Sequence, residues 1–336
     1  MHSTKNRINW IDWAKCVAIT MIVLGHIPQE EGSFLSFYVQ TIHVPLFFFI
    51  SGYLTKLRNT REEFYKCVHS LVIPYLLYNF IFYPYWAIRL YWDQGVGFSI
   101  HEYVIKPFLG LFFLQINTPV SSAVNGAMWF IAALLIMRTL IHFCLHSSRP
   151  FLYVVIIMLL SVCIFVIAKA NNFPLPLTIE GLLRCTPLYL LGYISKHYNL
   201  LGKISIRRDS IRALTLIGVS LVAAYMYREH NPFMWHMFLF YTLLISAIYG
   251  TLFICKILNT ISSPIIINIS IGTLMIMGLH WMFIGTTNYI IEHIFSMNIG
   301  ITYSWDIAIL FAICIDAAIY PMIIWARNHM PILLGK

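Results

Sequence analysis

Charged residues are scarce in this chain. Asp, Glu, Lys and Arg make up only 10% of its 336 residues, while 60% are hydrophobic. Because soluble domains carry roughly a quarter charged residues, this composition excludes that class and indicates a polytopic membrane protein. The formal charge of +9 would suit a nucleic-acid partner. We prefer the explanation that cytoplasmic loops of membrane proteins collect Lys and Arg, and we expect no nucleic-acid partner.

Paired cysteines are also lacking. The seven cysteines are an odd number, and no two of them form a Cys-x-x-Cys pair. This pattern excludes a disulfide framework and predicts no metal knuckle. The N-terminal apolar segment lacks the small-residue cleavage site of a signal peptide and contains charges, so we expect it to persist as the first membrane span.

Long apolar segments occupy most of the sequence. Ten of them approach the roughly 20 residues that a helix needs to cross a bilayer. They are residues 9–28, 37–54, 70–88, 127–146, 151–169, 178–196, 211–228, 234–255, 265–290 and 303–326. The sequence therefore predicts an all-α membrane protein with about ten transmembrane helices in one bundle, built as a single domain over residues 1–336.

The distribution of Lys and Arg predicts the orientation of this bundle. If the N-terminus is cytoplasmic, the outer segments hold only Arg89, Lys106, Lys169 and Arg228. The inner segments hold fifteen cations: Lys5, Arg7, Lys56, Arg58, Arg61, Lys66, Arg149, Lys196, Lys203, Arg207, Arg208, Arg212, Lys256, Arg327 and Lys336. Both termini should be cytoplasmic. The basic loop 196–212 suits either anionic lipid or a phosphorylated cytosolic ligand.

Residues 89–127 include Gly95, Gly97, Pro107 and Pro119 and one short apolar run, 108–114. Because this run is too short to span a bilayer, we expect a partly inserted or interfacial outer loop. The alternative is a re-entrant segment that lines the functional site.

The first span carries three ionisable residues, Asp12, Lys15 and His26. Such groups in a membrane helix usually face a bundle interior or a wet cavity. Ten residues separate Lys15 from His26, so both lie on nearly the same helix face, roughly 16 Å apart along the axis. Asp12 and Lys15 are three positions apart and close enough to pair.

This pattern resembles the opening signature of the integral-membrane acyltransferase-3 family, an Arg followed by ten residues and a His. Lys15 stands where the family usually has Arg, and Lys lacks the bidentate fork of Arg. The sequence His-Val-Pro-Leu-Phe-Phe-Phe-Ile-Ser-Gly, which begins at His43, resembles the second-helix signature of the same family. Within it, we expect Ser51 and Gly52 to permit close helix packing.

Further segments resemble the family in the same order along the chain. Ile73-Pro74-Tyr75 begins the third helix, but Lys66 and His69 precede it where arginines are expected. The resemblance implies that this patch contacts coenzyme A phosphates; otherwise it is an ordinary positive-inside loop. Trp129 is either an interface anchor or a residue that stacks on a sugar.

Two late segments complete the resemblance. Glu180 and Arg184 are four apart and can pair, either at the donor site or as a helix-to-helix strut. His280 lies in the outer half of its helix, as do His26 and His43. Three histidines at similar depth suggest a metal site, but no ligand motif supports one, so we expect no metal.

The resemblance implies a membrane O-acyltransferase, most similar to sugar O-acetylases of the fucose 4-O-acetylase type. Acyl-coenzyme A, most often acetyl, would serve as donor substrate, and no permanently bound cofactor is expected. The acceptor would be a hydroxyl of a surface glycan or lipid-linked sugar, at the bacterial plasma membrane. His26 would act as base, with His43, His280 and Asp12 as further catalytic candidates, and Lys15 would line the donor path. The alternative is an exporter or flippase of saccharide or lipid precursors, and the oligomeric state stays open.

Overall fold

The protein is built from helices. A computed structural model describes residues 7–113, 115, 117–228, 233–293 and 300–336. The α-helices are α1 (Asn9–His26), α2 (Phe34–Tyr53), α3 (Thr60–Cys67), α4 (Ile73–Gln94), α5 (Lys106–Phe112), α6 (Trp129–Leu145), α7 (Pro150–Ala170), α8 (Leu177–His197), α9 (Ile206–Arg228), α10 (Phe233–Ile257), α11 (Pro264–Ile271), α12 (Thr273–His293) and α13 (Trp305–His329). The π-helical turn Val68–Val72 joins α3 to α4. The predicted all-α class is confirmed.

Eight of the described helical segments have the length and apolar composition of a membrane span. The predicted spans 9–28 and 178–196 fall outside this set; they form α1 and α8, which carry ionisable side chains. The predicted span 265–290 is divided at Gly272, between α11 and α12. The membrane class is confirmed, while the number of spans and the cytoplasmic termini stay predictions. Lys5 and Leu114, used above, lie outside the described residues.

The chain divides into two compact units. Unit 1 comprises Met1–Thr55, Pro187–Thr273 and Tyr303–Ile313, and unit 2 comprises Lys56–Thr186, Leu274–Thr302 and Cys314–Lys336. In unit 1, α10 packs along α9, and α1 packs against α2, α10 and α11. In unit 2, α6 packs on α7, and α4 contacts the C-terminal turn Pro331–Leu334. The single domain predicted from the sequence stays a prediction.

Two glycines bring α2 and the second half of α8 into backbone contact within unit 1. A Cβ atom at Gly52 would overlap the carbonyl oxygen of Tyr189, and one at Gly192 would overlap that of Phe49. Small residues at such crossings let membrane helices approach closely. The predicted packing role of Gly52 is therefore confirmed.

A buried ion pair fixes the hairpin of α9 and α10. Asp209 is 0% and Lys256 is 1% exposed, and their charged atoms lie 3.4 Å apart. Lys256 also donates to the carbonyl of Leu201, and the Ser205 N–H donates to Asp209 at 2.9 Å. Because a buried pair is stable only when further hydrogen bonds satisfy it, these bonds explain how the pair is accommodated. Lys256, counted above as an inner-loop cation, thus holds the loop before α9.

The segment after α4 turns back along that helix. The turn lies at Gly95, whose φ of 64° is left-handed. Tyr83 then donates to the Tyr103 carbonyl, and Tyr75 donates to the Leu111 carbonyl at 2.8 Å. Since Tyr75 lies 19 positions before the last residue of α4 (75 against 94), the segment returns over about 28 Å of the helix axis. The segment therefore folds back along α4, while its insertion in the membrane stays a prediction.

We expect Gly192→Val to destabilise the protein by about 1–3 kcal/mol, because the added side chain must push apart two backbones in contact. The measurement is thermal unfolding of the purified protein in detergent. Gly218→Val on α9 is the matched control, since nothing lies within 4 Å of a Cβ atom there. Equal unfolding temperatures for the two variants would contradict the backbone contact.

Candidate active site

His26 and His43 come together in unit 1. His26 ends α1, His43 lies at the middle of α2, and their ring centroids are 5.9 Å apart at an interplanar angle of 77°. Gly25 leaves room for this approach, because a Cβ atom there would lie 3.4 Å from Cε1 of His43. The two imidazole rings, which we expected at a similar depth on separate helices, are therefore in edge-to-face contact.

Each imidazole is oriented by a backbone carbonyl one turn earlier. Nδ1 of His26 lies 2.8 Å from the Ile22 oxygen, and Nδ1 of His43 lies 2.7 Å from the Val39 oxygen. Because a carbonyl oxygen only accepts, each Nδ1 must carry the hydrogen. In the neutral ring the lone pair then lies on Nε2, which is the form that a general base requires.

His280 is oriented in the same way within unit 2. Its Nδ1 lies 3.0 Å and 2.9 Å from the carbonyl oxygens of Ile276 and Met277, and its side chain is fully buried. Trp129, in the same unit, is buried against Gly181, where a Cβ atom would overlap the indole. This burial contradicts the interpretation of Trp129 as an interface anchor.

The polar face of α1 begins with Asp12. Its carboxylate accepts from Arg7 at 2.6 Å and from the Ser270 hydroxyl at 2.5 Å, which ties α1 to α11. The helix is continuous from Asn9 to His26, so Lys15 and His26 keep the predicted register along one flank. Lys15 is partly buried.

A cluster of cations surrounds Glu63 in unit 2. Arg58 donates to the Glu63 carboxylate at 3.1 Å, and Arg138 of α6 donates to its other oxygen. Lys66 interacts electrostatically with Glu63 and with three cations, Arg58, Arg138 and Lys56. We call Arg58, Lys66 and Arg138 the cation cluster. It holds more positive charge than Glu63 neutralises, and such a site attracts anions. His69 is exposed one turn beyond Lys66.

The predicted pair of Glu180 with Arg184 does not form. Glu180 instead binds Lys169 of α7 at 2.9 Å, and no hydrogen-bond acceptor among the described residues contacts Nε of Arg184. The physical reason is the short connection between α7 and α8, which brings the last turn of α7 beside the first turn of α8. The carboxylate therefore pairs across the two helices.

Sequence reasoning missed the polar partners that lie inside apolar runs. Arg138 and Asn79 are surrounded in sequence by hydrophobic residues, and each is held by a residue distant along the chain. An isolated polar side chain in a membrane helix is itself a signal of a partner or a site. That signal was available for both residues.

The structure thus shows a helical fold with membrane-type helices and three imidazoles, each oriented by a backbone carbonyl. A family model described as an acyltransferase domain matches residues 8–323. The chain belongs to this family, acyltransferase 3, and is a membrane acyltransferase. The resemblance found in the sequence is thereby confirmed.

Among curated proteins, the chain is similar to nodulation protein NolL of Mesorhizobium japonicum. The two are 30% identical over 201 residues, which is 57% of this chain and 48% of that protein. The similarity therefore spans about half the length of this relative. No solved structure matches the chain.

Proposed function

We propose that this acyltransferase moves an acyl group, most often acetyl, from cytosolic acyl-coenzyme A to a sugar hydroxyl. The acceptor is a surface glycan or a lipid-linked sugar, and the enzyme works in the plasma membrane of a bacterium. The observation that carries the proposal is the pair His26–His43, with both rings turned so that Nε2 is the basic nitrogen. Ester formation from a hydroxyl needs such a base at neutral pH.

His26 is the proposed base for the transfer step. Its Nε2 takes the proton of the acceptor hydroxyl while that oxygen attacks the thioester carbonyl carbon. The new C–O ester bond forms, the C–S bond breaks, and the proton passes from His26 to the departing thiolate of coenzyme A. His43, 5.9 Å away between ring centroids, is the second candidate to hold this proton. His280, in unit 2, stays a separate catalytic candidate.

The donor is proposed to use the polar face of α1. Lys15 lines the path of the acyl arm as a point charge. Asp12 acts as a positioning residue, because its bonds to Arg7 and Ser270 hold α1 against α11. We propose that the thioester lies along the flank that ends at His26.

The phosphates of coenzyme A are proposed to bind the cation cluster, with His69 beside it. Two arginines there share a single carboxylate, so their remaining N–H groups are available to a phosphate. Arg184, whose Nε–H lacks an acceptor among the described residues, is a further candidate for contact with the donor. We do not propose Glu180 as a donor-site residue beside Arg184, because Glu180 binds Lys169.

We expect His26→Gln to lower the rate of acetyl transfer by about 10²–10⁴-fold, which is the usual contribution of a general base. The measurement uses purified protein, labelled acetyl-coenzyme A and a panel of candidate glycans. The control is His197→Gln, an exposed histidine at the end of α8. Coenzyme A should still raise the unfolding temperature of both variants, whereas a transporter without acyl chemistry should ignore it. Unchanged transfer by His26→Gln would overturn the mechanism.

We expect Arg138→Gln to raise the KM for acyl-coenzyme A by roughly 10–100-fold, because it removes a charge-assisted bond to phosphate. The effect should shrink as salt is added, since salt screens partly exposed charges. Arg58→Gln, at a more exposed position, should act in the same direction with less risk to folding. Arg149→Gln, an exposed cation beyond α6, is the control. An unchanged KM in both cluster variants would exclude this phosphate site.

A further inference from the structure

Unit 2 contains a layer of buried amide side chains: Asn79 on α4, Gln115 in the segment that folds back along α4, and Asn125 before α6. They are 3%, 6% and 0% exposed. None of them was singled out by the sequence, and the proposed transfer step does not use them. We call these three residues the amide layer.

The orientation of Gln115 is fixed by its neighbours. Its Nε2 donates to the Tyr75 hydroxyl at 3.1 Å and to Oδ1 of Asn79 at 2.8 Å. The Tyr75 hydroxyl in turn donates to the Leu111 carbonyl, and Asn79 Nδ2 donates to the Tyr75 carbonyl. Both amide hydrogens of Gln115 are therefore committed, so Oε1 must be an acceptor. No donor among the described residues reaches it.

Asn125 repeats this arrangement. Its Nδ2 donates to the Gly278 carbonyl at 2.9 Å, which leaves Oδ1 as a buried acceptor that no described donor contacts. Gly278 itself packs on the ring of Tyr78 on α4. Unit 2 therefore contains two buried amide oxygens, Gln115 Oε1 and Asn125 Oδ1, that no described donor contacts.

A buried acceptor without a donor is unfavourable, and native proteins keep few of them. Two such oxygens in unit 2, each on an amide whose NH2 group is hydrogen-bonded, fit a site for a ligand that donates hydrogen bonds. Hydroxyl groups donate to amide oxygens and suit this pattern. We infer that Gln115 Oε1 and Asn125 Oδ1 accept hydrogen bonds from hydroxyls of the sugar acceptor. The inference rests on the proposed function.

The N–H groups of the pantetheine arm of coenzyme A are also hydrogen-bond donors that these amide oxygens can accept. The position of the layer favours the sugar. Gln115 contacts Tyr75 and Asn79 in the first third of α4, whereas Glu63, which binds the cation cluster, lies on α3. Glu63 and Asn79 are 16 positions apart in one continuous helical stretch (63 against 79), or about 24 Å.

Steady-state kinetics of Asn125→Leu and Gln115→Leu test the inference. We expect the KM for the sugar acceptor to rise about 10–100-fold, with the KM for acyl-coenzyme A unchanged. Asn171→Leu is the matched control, because its Nδ2 likewise donates to a backbone carbonyl, at 2.8 Å, but the residue is exposed.

Acceptors that lack one hydroxyl separate binding from a merely structural role. With the wild-type enzyme, removal of a bound hydroxyl should raise the acceptor KM by about 10-fold or more. With Asn125→Leu, removal of that hydroxyl should raise the acceptor KM little further, because the variant lacks the amide oxygen that binds it. This coupling is not expected of a residue that only supports the fold, and the wild-type series stands even if a variant fails to fold.

An unchanged acceptor KM in folded variants would overturn the inference, as would a deoxy series without any effect on the wild type. A rise in the KM for acyl-coenzyme A instead would assign the layer to the pantetheine arm and also overturn it. A wild-type enzyme that transfers no acyl group to any sugar would refute the proposed function itself. Failure of the inference and failure of the proposed function would therefore be distinguishable.

Discussion

The hydrogen bond from an imidazole Nδ1 to a backbone carbonyl of its own helix is the constraint on which the account of the site depends. It recurs at His26, His43 and His280, each inside or at the end of an apolar helix. The bond satisfies Nδ1, and it fixes the tautomer. In the neutral ring, Nε2 is thereby the basic atom of each histidine.

The same requirement for hydrogen-bond partners explains much of the surrounding structure. Apolar helices offer few partners to a charged side chain, so ionisable groups are held by distant residues. Asp12 binds Ser270, Lys256 binds Asp209, and Glu63 is shared by two arginines. The amide oxygens of Gln115 and Asn125 depart from this pattern. These two oxygens are the ones that we propose to bind the sugar acceptor.

Helical periodicity made the all-α membrane class and the common flank of Lys15 and His26 predictable, because both depend only on local spacing. The contact of His26 with His43 was not, since it requires α1 and α2 to meet at Gly25. The pairing of Glu180 failed for the same reason: its partner comes from the preceding helix, not from its own. Such pairs depend on the packing of helices that are distant in sequence. Residue spacing along one helix does not reveal that packing.

Nitrogen-15 NMR of the histidine rings in lipid is the most direct test of the central claim. Difference spectra against the His26 and His43 variants would assign the two rings. The account predicts that at neutral pH both carry hydrogen on Nδ1 and a lone pair on Nε2. A hydrogen on Nε2 with an unprotonated Nδ1 in His26 would contradict it, because the base would then point at a backbone carbonyl.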